Sequence, residues 1–208
     1  MQPDNYLLVI DFEATCCDVG TIAREKMEII EFGVVMVEAE SFQVVDEFQS
    51  FVRPIRNPQL TGFCTKLTSI TQQDVASAPT FKDVVGSFKT WLYRYSGFVF
   101  CSWGDYDLKQ LRQDCEFNKV PYPISAPHIN VKRQMAEIQK LSKKPGLGEA
   151  VRLAGIEFIG TPHRGIDDAR NIAKLLPYVF GKARLPDQAF GTSAFSKMHG
   201  NHAQLKRA

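Results

Sequence analysis

The stretch Tyr6-Leu7-Leu8-Val9-Ile10-Asp11-Phe12-Glu13 decides the reading of this chain. A short apolar run that ends in charge predicts a central strand, Tyr6–Ile10. Side chains alternate across a strand, so Asp11 and Glu13 share one face. They stand at the carboxyl end of that strand, where open α/β sheets bind their ligands. An Asp-x-Glu pair on its own also suits a solvated strand end. Its weight depends on what the rest of the chain brings to the same place.

Working outward, Met27–Glu38 and Val44–Val52 are rich in Val, Ile and Phe and predict two further strands. A polar turn at Ala39–Phe42 joins them, so the first three strands form a meander. Residues 55–79 read as a long loop with one short turn at Thr71–Val75. Thr80-Phe81-Lys82-Asp83 then resembles a capping box, with Asp in the usual Glu position. Phe81, Val84, Val85, Phe88 and Leu92 follow at helical spacing. Gly97–Ser102 predicts a fourth strand, and Leu108, Leu111 and Cys115 stripe a helix that starts near Asp107. Val131–Leu141 and Leu147–Ala154 predict two more helices, the second stopped by Gly155. Ile166, Ala169, Ile172, Ala173 and Leu176 predict a last helix, ended or weakened by Pro177. The sum is an α/β domain: a mixed central sheet of about five strands flanked by helices.

Composition fits one globular domain: 208 residues, 44% hydrophobic and 23% charged. The formal net charge of +2 is uneven, because residues 181–208 carry +4 and the body carries −2. Residues 182–208 read as a basic tail, Gly-, Ser- and Ala-rich from 187 onward and expected to be disordered, which leaves 1–181 as the folded domain. The five cysteines (Cys16, Cys17, Cys64, Cys101, Cys115) show no CxxC spacing and read as free thiols of a reducing compartment. Neither a signal peptide nor a membrane span is legible. An intracellular, cytoplasmic or nuclear location is expected.

Three separated segments carry acids that could meet. Asp11 and Glu13 are the first. Asp107 opens a predicted helix, with Asp105 as a rival at the same place. His163 and Asp168 straddle the start of the last helix. Carboxylates gathered at one point repel each other unless a hard cation lies among them, and Mg²⁺ or Mn²⁺ suits oxygen ligands. A histidine beside them suggests a proton acceptor. The pattern points to metal-assisted phosphodiester hydrolysis.

DFEATC (11–16), EIIEFGVV (28–35), FVRP (51–54), NPQLTGFCTKLTSIT (57–71) and HRGIDDARNIA (163–173) carry a stronger signal together. They resemble the DEDDh family of 3′-to-5′ exonucleases, in the branch of the enhancer-of-RNAi type and histone-mRNA 3′ exonucleases. That resemblance spans roughly residues 6–180 and implies a ribonuclease-H-like fold. It implies that Asp11, Glu13, Asp107 and Asp168 are the four metal-binding acids, Asp107 acting through water, and that His163 is the general base. It implies two Mg²⁺ ions, replaceable by Mn²⁺. It implies that Ala14 and Thr15 meet the terminal 3′-hydroxyl, that Phe63 and Tyr106 stack on bases, and that Leu67 wedges beside the last nucleotide. Arg164 is a candidate phosphate contact. Lys132, Arg133, Lys140, Lys143 and Lys144 form either a phosphate track or a solvated basic face.

The implied activity is an exoribonuclease on single-stranded RNA or 3′ overhangs, with possible action on DNA, that needs a free 3′-OH and releases nucleoside 5′-monophosphates. Only five residues precede the first strand, so the chain resembles a bare catalytic domain. The alternatives are a proofreading-type DNA exonuclease and a catalytically silent binding module.

Overall fold

The computed structural model describes residues 5–186. Its sheet has five strands in the order β3-β2-β1-β4-β5. β1 (Tyr6–Ala14) pairs antiparallel with β2 (Ile29–Glu38), and β2 with β3 (Val44–Phe51). The expected meander is therefore present. β4 (Phe98–Ser102) and β5 (His128–Asn130) continue the sheet parallel to β1. β5 escapes the sequence reading because three residues carry no usable periodicity.

β1 does not stop at its charges. It runs on through Asp11 and Glu13 to Ala14 because β2 keeps pairing beside it, Asp11 opposite Gly33 and Glu13 opposite Glu31. The register slips only between Glu13 and Ala14. The two carboxylates thus sit on rigid backbone rather than on a loop.

Strand alternation divides the core into two layers. Leu7, Val9, Val35, Val37 and Cys101 face one side. There they pack on α5 (Val131–Ile138), α6 (Leu147–Leu153) and α7 (Gly165–Val179). Leu8, Ile10, Phe12, Phe32, Val34 and Met36 face α3 (Phe81–Leu92) and α4 (Tyr106–Asn118). Each fully buried Leu, Ile or Phe is worth about 1.5–3 kcal/mol. By the same parity Asp11 and Glu13 point to the α7 side.

Residues 55–79 are not a long loop. They contain α1 (Gly62–Thr68) and α2 (Gln72–Ala76). Gly62-Phe63-Cys64-Thr65-Lys66-Leu67-Thr68 is too short and too Thr-rich for its pattern to stand out. Tertiary packing forms it, through a small cluster of Ile30, Leu60, Cys64, Ile70 and Val75. Thr61 caps α1 by accepting from the Cys64 N–H at 3.0 Å. The Thr80–Asp83 capping box is present, and Thr71–Asp74 forms a second one.

Pro177 does not end the last helix, which continues to Val179. It falls in the final turn, so it removes one intrahelical donor with almost no helix left beyond it to disrupt. Residues 182–186 also depart from expectation. Leu185 is buried in the core, and its N–H donates to Gln139 Oε1 at 3.1 Å. The folded domain therefore reaches past residue 181, and the expected tail from 187 lies outside the described residues. No helix among the described residues is long and apolar enough to cross a membrane.

One contact places α7. Gly33 of β2 and Gly165 of α7 meet backbone to backbone, and a Cβ on Gly33 would fall 1.9 Å from the Gly165 carbonyl carbon. Gly33→Ala should therefore lower thermal stability by about 1–3 kcal/mol or more. A Tm equal to that of the unmodified chain in a thermal melt would refute this account of how α7 is seated.

Candidate active site

The seating of α7 brings its first turn over the end of β1. Donor atoms of Glu13, His163 and Asp168 all lie within 4.8 Å of one another. Asp11 lies in the same field, on the same face of β1 as Glu13. Asp107 arrives from the first turn of α4, and its Oδ1 accepts the Phe12 N–H at 3.0 Å. Its rival Asp105 is exposed and accepts from Asn130 Nδ2 at 3.0 Å. The structure thus turns Asp107 toward β1 and Asp105 away from it.

Burial pushes Asp11, Glu13, Asp107 and Asp168 above the usual carboxylate range. For Asp11 the next causes are repulsion from Asp107, Glu13, Asp168 and Glu31. Asp107 is partly relieved by the Phe12 N–H. Four acids in one partly dry site favour their neutral forms unless a positive charge joins them. Asp168 adds a further sign: Oδ2 accepts the His163 N–H at 3.2 Å, while Oδ1 is buried with no partner among the described residues. A buried carboxylate oxygen without a donor fits a hard divalent cation. Asp11, Glu13, Asp168 and Asp107 are the residues that could hold it.

His163 is exposed and has φ +62°, in the left-handed region. Histidine tolerates that conformation better than most residues, at a cost of about 1–2 kcal/mol. The turn leaves its imidazole beside Glu13 and Asp168, open to solvent. That arrangement suits a group that must exchange protons with water.

Glu31, which the sequence reading passed over, organises this turn. Its side chain is 0% exposed. It accepts from Arg164 Nε and Nη2 at 3.1 and 3.2 Å, from the Gly165 N–H at 3.0 Å and from Gln49 Nε2 at 2.7 Å. A charged residue and a glycine inside the otherwise apolar EIIEFGVV run were the available signal. Arg164, expected at a phosphate, is tied to Glu31 within the fold. Two of its donor nitrogens hold Glu31 and its guanidinium lies over the Phe51 ring, 5.2 Å from the centroid, so it braces the His163 turn.

The expected substrate residues gather partly. Phe63 (38% exposed) and Leu67 lie one turn apart on α1, on the face next to that of the buried Cys64 and Thr68. α1 is tied to the end of β1, because Thr61 Oγ1 donates to the Cys16 carbonyl at 2.6 Å and Cys64 Sγ lies 3.7 Å from the Ala14 carbonyl. Tyr106 adjoins Asp107 and is half-buried, with the Arg24 guanidinium 4.9 Å from its ring centroid. Ala14 and Thr15 are buried. The Thr15 N–H donates to the Glu28 carbonyl, and its hydroxyl accepts the Glu28 N–H. Those two Thr15 groups are engaged within the fold rather than facing a substrate hydroxyl.

The chain matches known proteins over this same region. A family model described as Exonuclease, RNase T, matches residues 8–176. Human 3′-5′ exoribonuclease 1 is 35% identical over 182 residues, covering 82% of this chain and 51% of that protein. Bovine ERI1 exoribonuclease 3 is 35% identical over 185 residues, covering 84% of this chain and 53% of that one. This chain thus spans about half the length of these relatives. The crystal structure of the nuclease domain of 3′hExo, a DEDDh family member bound to rAMP, aligns with a TM-score of 0.77 at 31% identity, covering 86% of this chain and 94% of that one. This chain belongs to the RNase T family of exonucleases, beside the ERI1-type exoribonucleases and the DEDDh nuclease 3′hExo.

Proposed function

We propose that this chain is a metal-dependent 3′-to-5′ exonuclease that shortens RNA from a free 3′-OH and releases nucleoside 5′-monophosphates. The carrying observation is the convergence of Asp11, Glu13, Asp107, Asp168 and His163, with Asp168 Oδ1 buried and unpartnered. The kinship with exoribonucleases favours RNA. A divalent cation here, Mg²⁺ or Mn²⁺ as a pair of ions, would polarise a phosphate oxygen and lower the pKa of water.

The protein's own residues do the rest. Asp11, Glu13 and Asp168 fix the negative charge that a cation and a phosphate together require, and Asp107 completes it from α4. His163 takes the proton of the attacking water and passes it to solvent, to which it is open. Phe63 and Tyr106 offer ring faces to the terminal bases, and Leu67 lies beside Phe63 on the same helix face. A terminal nucleotide held this way presents its own phosphate to the acids, which gives the reaction its direction.

The remaining strand needs a path. A concavity of about 250 Å³ between α5 and the loop that follows is lined by Arg133, Lys143 and Lys144, among others. The Trp103 indole donates to the Pro145 carbonyl at 3.3 Å, which fastens this loop to the end of β4.

Replacing Asp11 by Asn should cut turnover by about 100-fold or more, because it removes a charge central to the cluster. In chelator its Tm should equal or exceed that of the native chain, since one buried repulsive charge is gone. Near-normal turnover would refute the assignment of Asp11. On oligonucleotides, a 3′-phosphate should slow degradation strongly, and equal rates on blocked and free ends would mark an endonuclease instead. Arg133→Ala with Lys144→Ala should raise KM and flatten its dependence on salt while leaving kcat nearly unchanged. An unaltered KM and salt slope would remove the basic concavity from the path.

A further inference from the structure

The turn that delivers Asp107 is held from outside by the short strand β5. Residues 102–105 lead from β4 into α4, and Tyr106 and Asp107 follow at once. β5 runs beside β4 with His128 opposite Phe100 and Asn130 opposite Ser102. Two positions apart on a strand, His128 and Asn130 share one face. Both reach the turn. His128 Nε2 lies 2.9 Å from Ser102 Oγ, and Ser102 Oγ lies 3.0 Å from the Gly104 carbonyl. The hydroxyl has one proton and gives it to that carbonyl, so Nε2 is the donor to Ser102. The imidazole also packs on the Phe100 ring, with centroids 4.7 Å apart. Asn130 Nδ2 donates to Asp105 Oδ1 at 3.0 Å, while its Oδ1 accepts the Arg133 N–H at 2.9 Å and caps α5.

Asp105 is the informative residue. It stands at the N-cap of α4, where an aspartate ordinarily accepts an N–H of the first turn, yet it makes no such bond. Its carboxylate is turned to Asn130 instead. We propose that His128 and Asn130 are positioning residues of the nuclease, which lock the 102–105 turn so that Asp107 faces the acids of β1 and the Asp105 carboxylate stays out. This rests on the function proposed above. Asp107 has one tie of its own, the Phe12 N–H, which reaches β1. The turn fixes the helix end that carries it. If Asp105 swung back to cap its own helix, a further negative charge would come beside Asp107, where acids already repel one another. A displacement of about 1 Å at a reacting site costs on the order of 100-fold in rate, so a tie outside the site has consequences within it.

Positioning can be separated from stability because Asn130 uses its two ends for different partners. Asn130→Asp keeps the acceptor for the Arg133 N–H, and aspartate caps a helix about as well as asparagine. It loses the donor to Asp105 and sets two carboxylates against each other. Adding Asp105→Asn rebuilds the bond with the roles exchanged. At the other tie, His128→Gln keeps an N–H donor for Ser102 but loses the ring on Phe100, whereas His128→Phe keeps the ring and loses the donor. Packing and hydrogen bonding therefore predict opposite orders for the two His128 variants.

The test compares these variants of the whole chain on a 3′-OH RNA oligonucleotide with Mg²⁺, and measures their Tm with and without Mn²⁺. Asn130→Asp should lower kcat several-fold with KM nearly unchanged, and should shrink the rise in Tm that Mn²⁺ gives the native chain. Adding Asp105→Asn should restore both. His128→Phe should lower kcat and His128→Gln should leave it close to native, whatever the order of their melting temperatures. Native kcat in Asn130→Asp would overturn the proposal, and so would a double variant no faster than the single one. A His128→Gln protein slower than His128→Phe would do the same, and this pair decides alone if Asn130→Asp does not fold. If the native chain degrades no RNA or DNA, the nuclease reading fails, and the Mn²⁺ shift across the variants then decides whether the turn orders the acids. A native chain that lacks that shift as well would overturn both.

Discussion

The N-terminus of α7 is fastened to the middle of the sheet by a single buried carboxylate. Helix α7 has no side-chain cap of its own at Arg164. Glu31, reaching across from β2, takes that part: it accepts the Gly165 N–H and at the same time grips Arg164. The positive end of the helix and the guanidinium together offset a carboxylate that the sheet would otherwise bury alone. Breaking such a pair by deleting one partner typically costs about 3–5 kcal/mol. Gly33 and Gly165 make the contact possible by leaving no side chain between helix and sheet. Everything on the first turn of α7, His163 and Asp168 included, inherits its position from this joint.

That joint also explains a conflict within the molecule. The same seating that orders the turn presses Asp168 toward Asp11 and Glu13, which burial has already partly removed from water. By itself the cluster destabilises its ionised form. A protein that keeps such a cluster on rigid strands and helix ends, where it cannot relax apart, is built for a cationic ligand rather than for maximal stability. The unpartnered Asp168 Oδ1 is the local sign of this.

α1 is the counterpart on the other side of the site. Glu28 fixes its approach by accepting the N–H groups of Ile55, Arg56 and Asn57 at 2.8, 2.8 and 2.7 Å. Cys64 and Thr61 then pin the helix to the end of β1. Acids on the sheet and exposed apolar side chains on α1 are thus held by two independent sets of contacts that meet at residues 14–16. A change at that junction is felt by both.

Much of this was legible in the chain before folding. Alternation along Leu7–Glu13 set the face of the two carboxylates, and Thr80-x-x-Asp83 marked the start of α3. These signals are local, carried by strand parity and by side chains bonding to backbone within a few residues. Resemblance added the acids and the histidine as a set. The roles expected of Arg164 and Thr15 could not be judged that way, because their partners, Glu31 and Glu28, lie far along the chain. α1 and β5 were invisible for a related reason: each is too short to carry a pattern, and each exists because neighbours pack or pair with it.

The sequence by itself determined the longer strands and helices, and which acids are candidates for one site. Only the tertiary structure decided that Asp107 rather than Asp105 turns inward and that Arg164 grips Glu31. Local periodicity depends on neighbours in the chain, whereas charge pairing and close approach depend on neighbours in space.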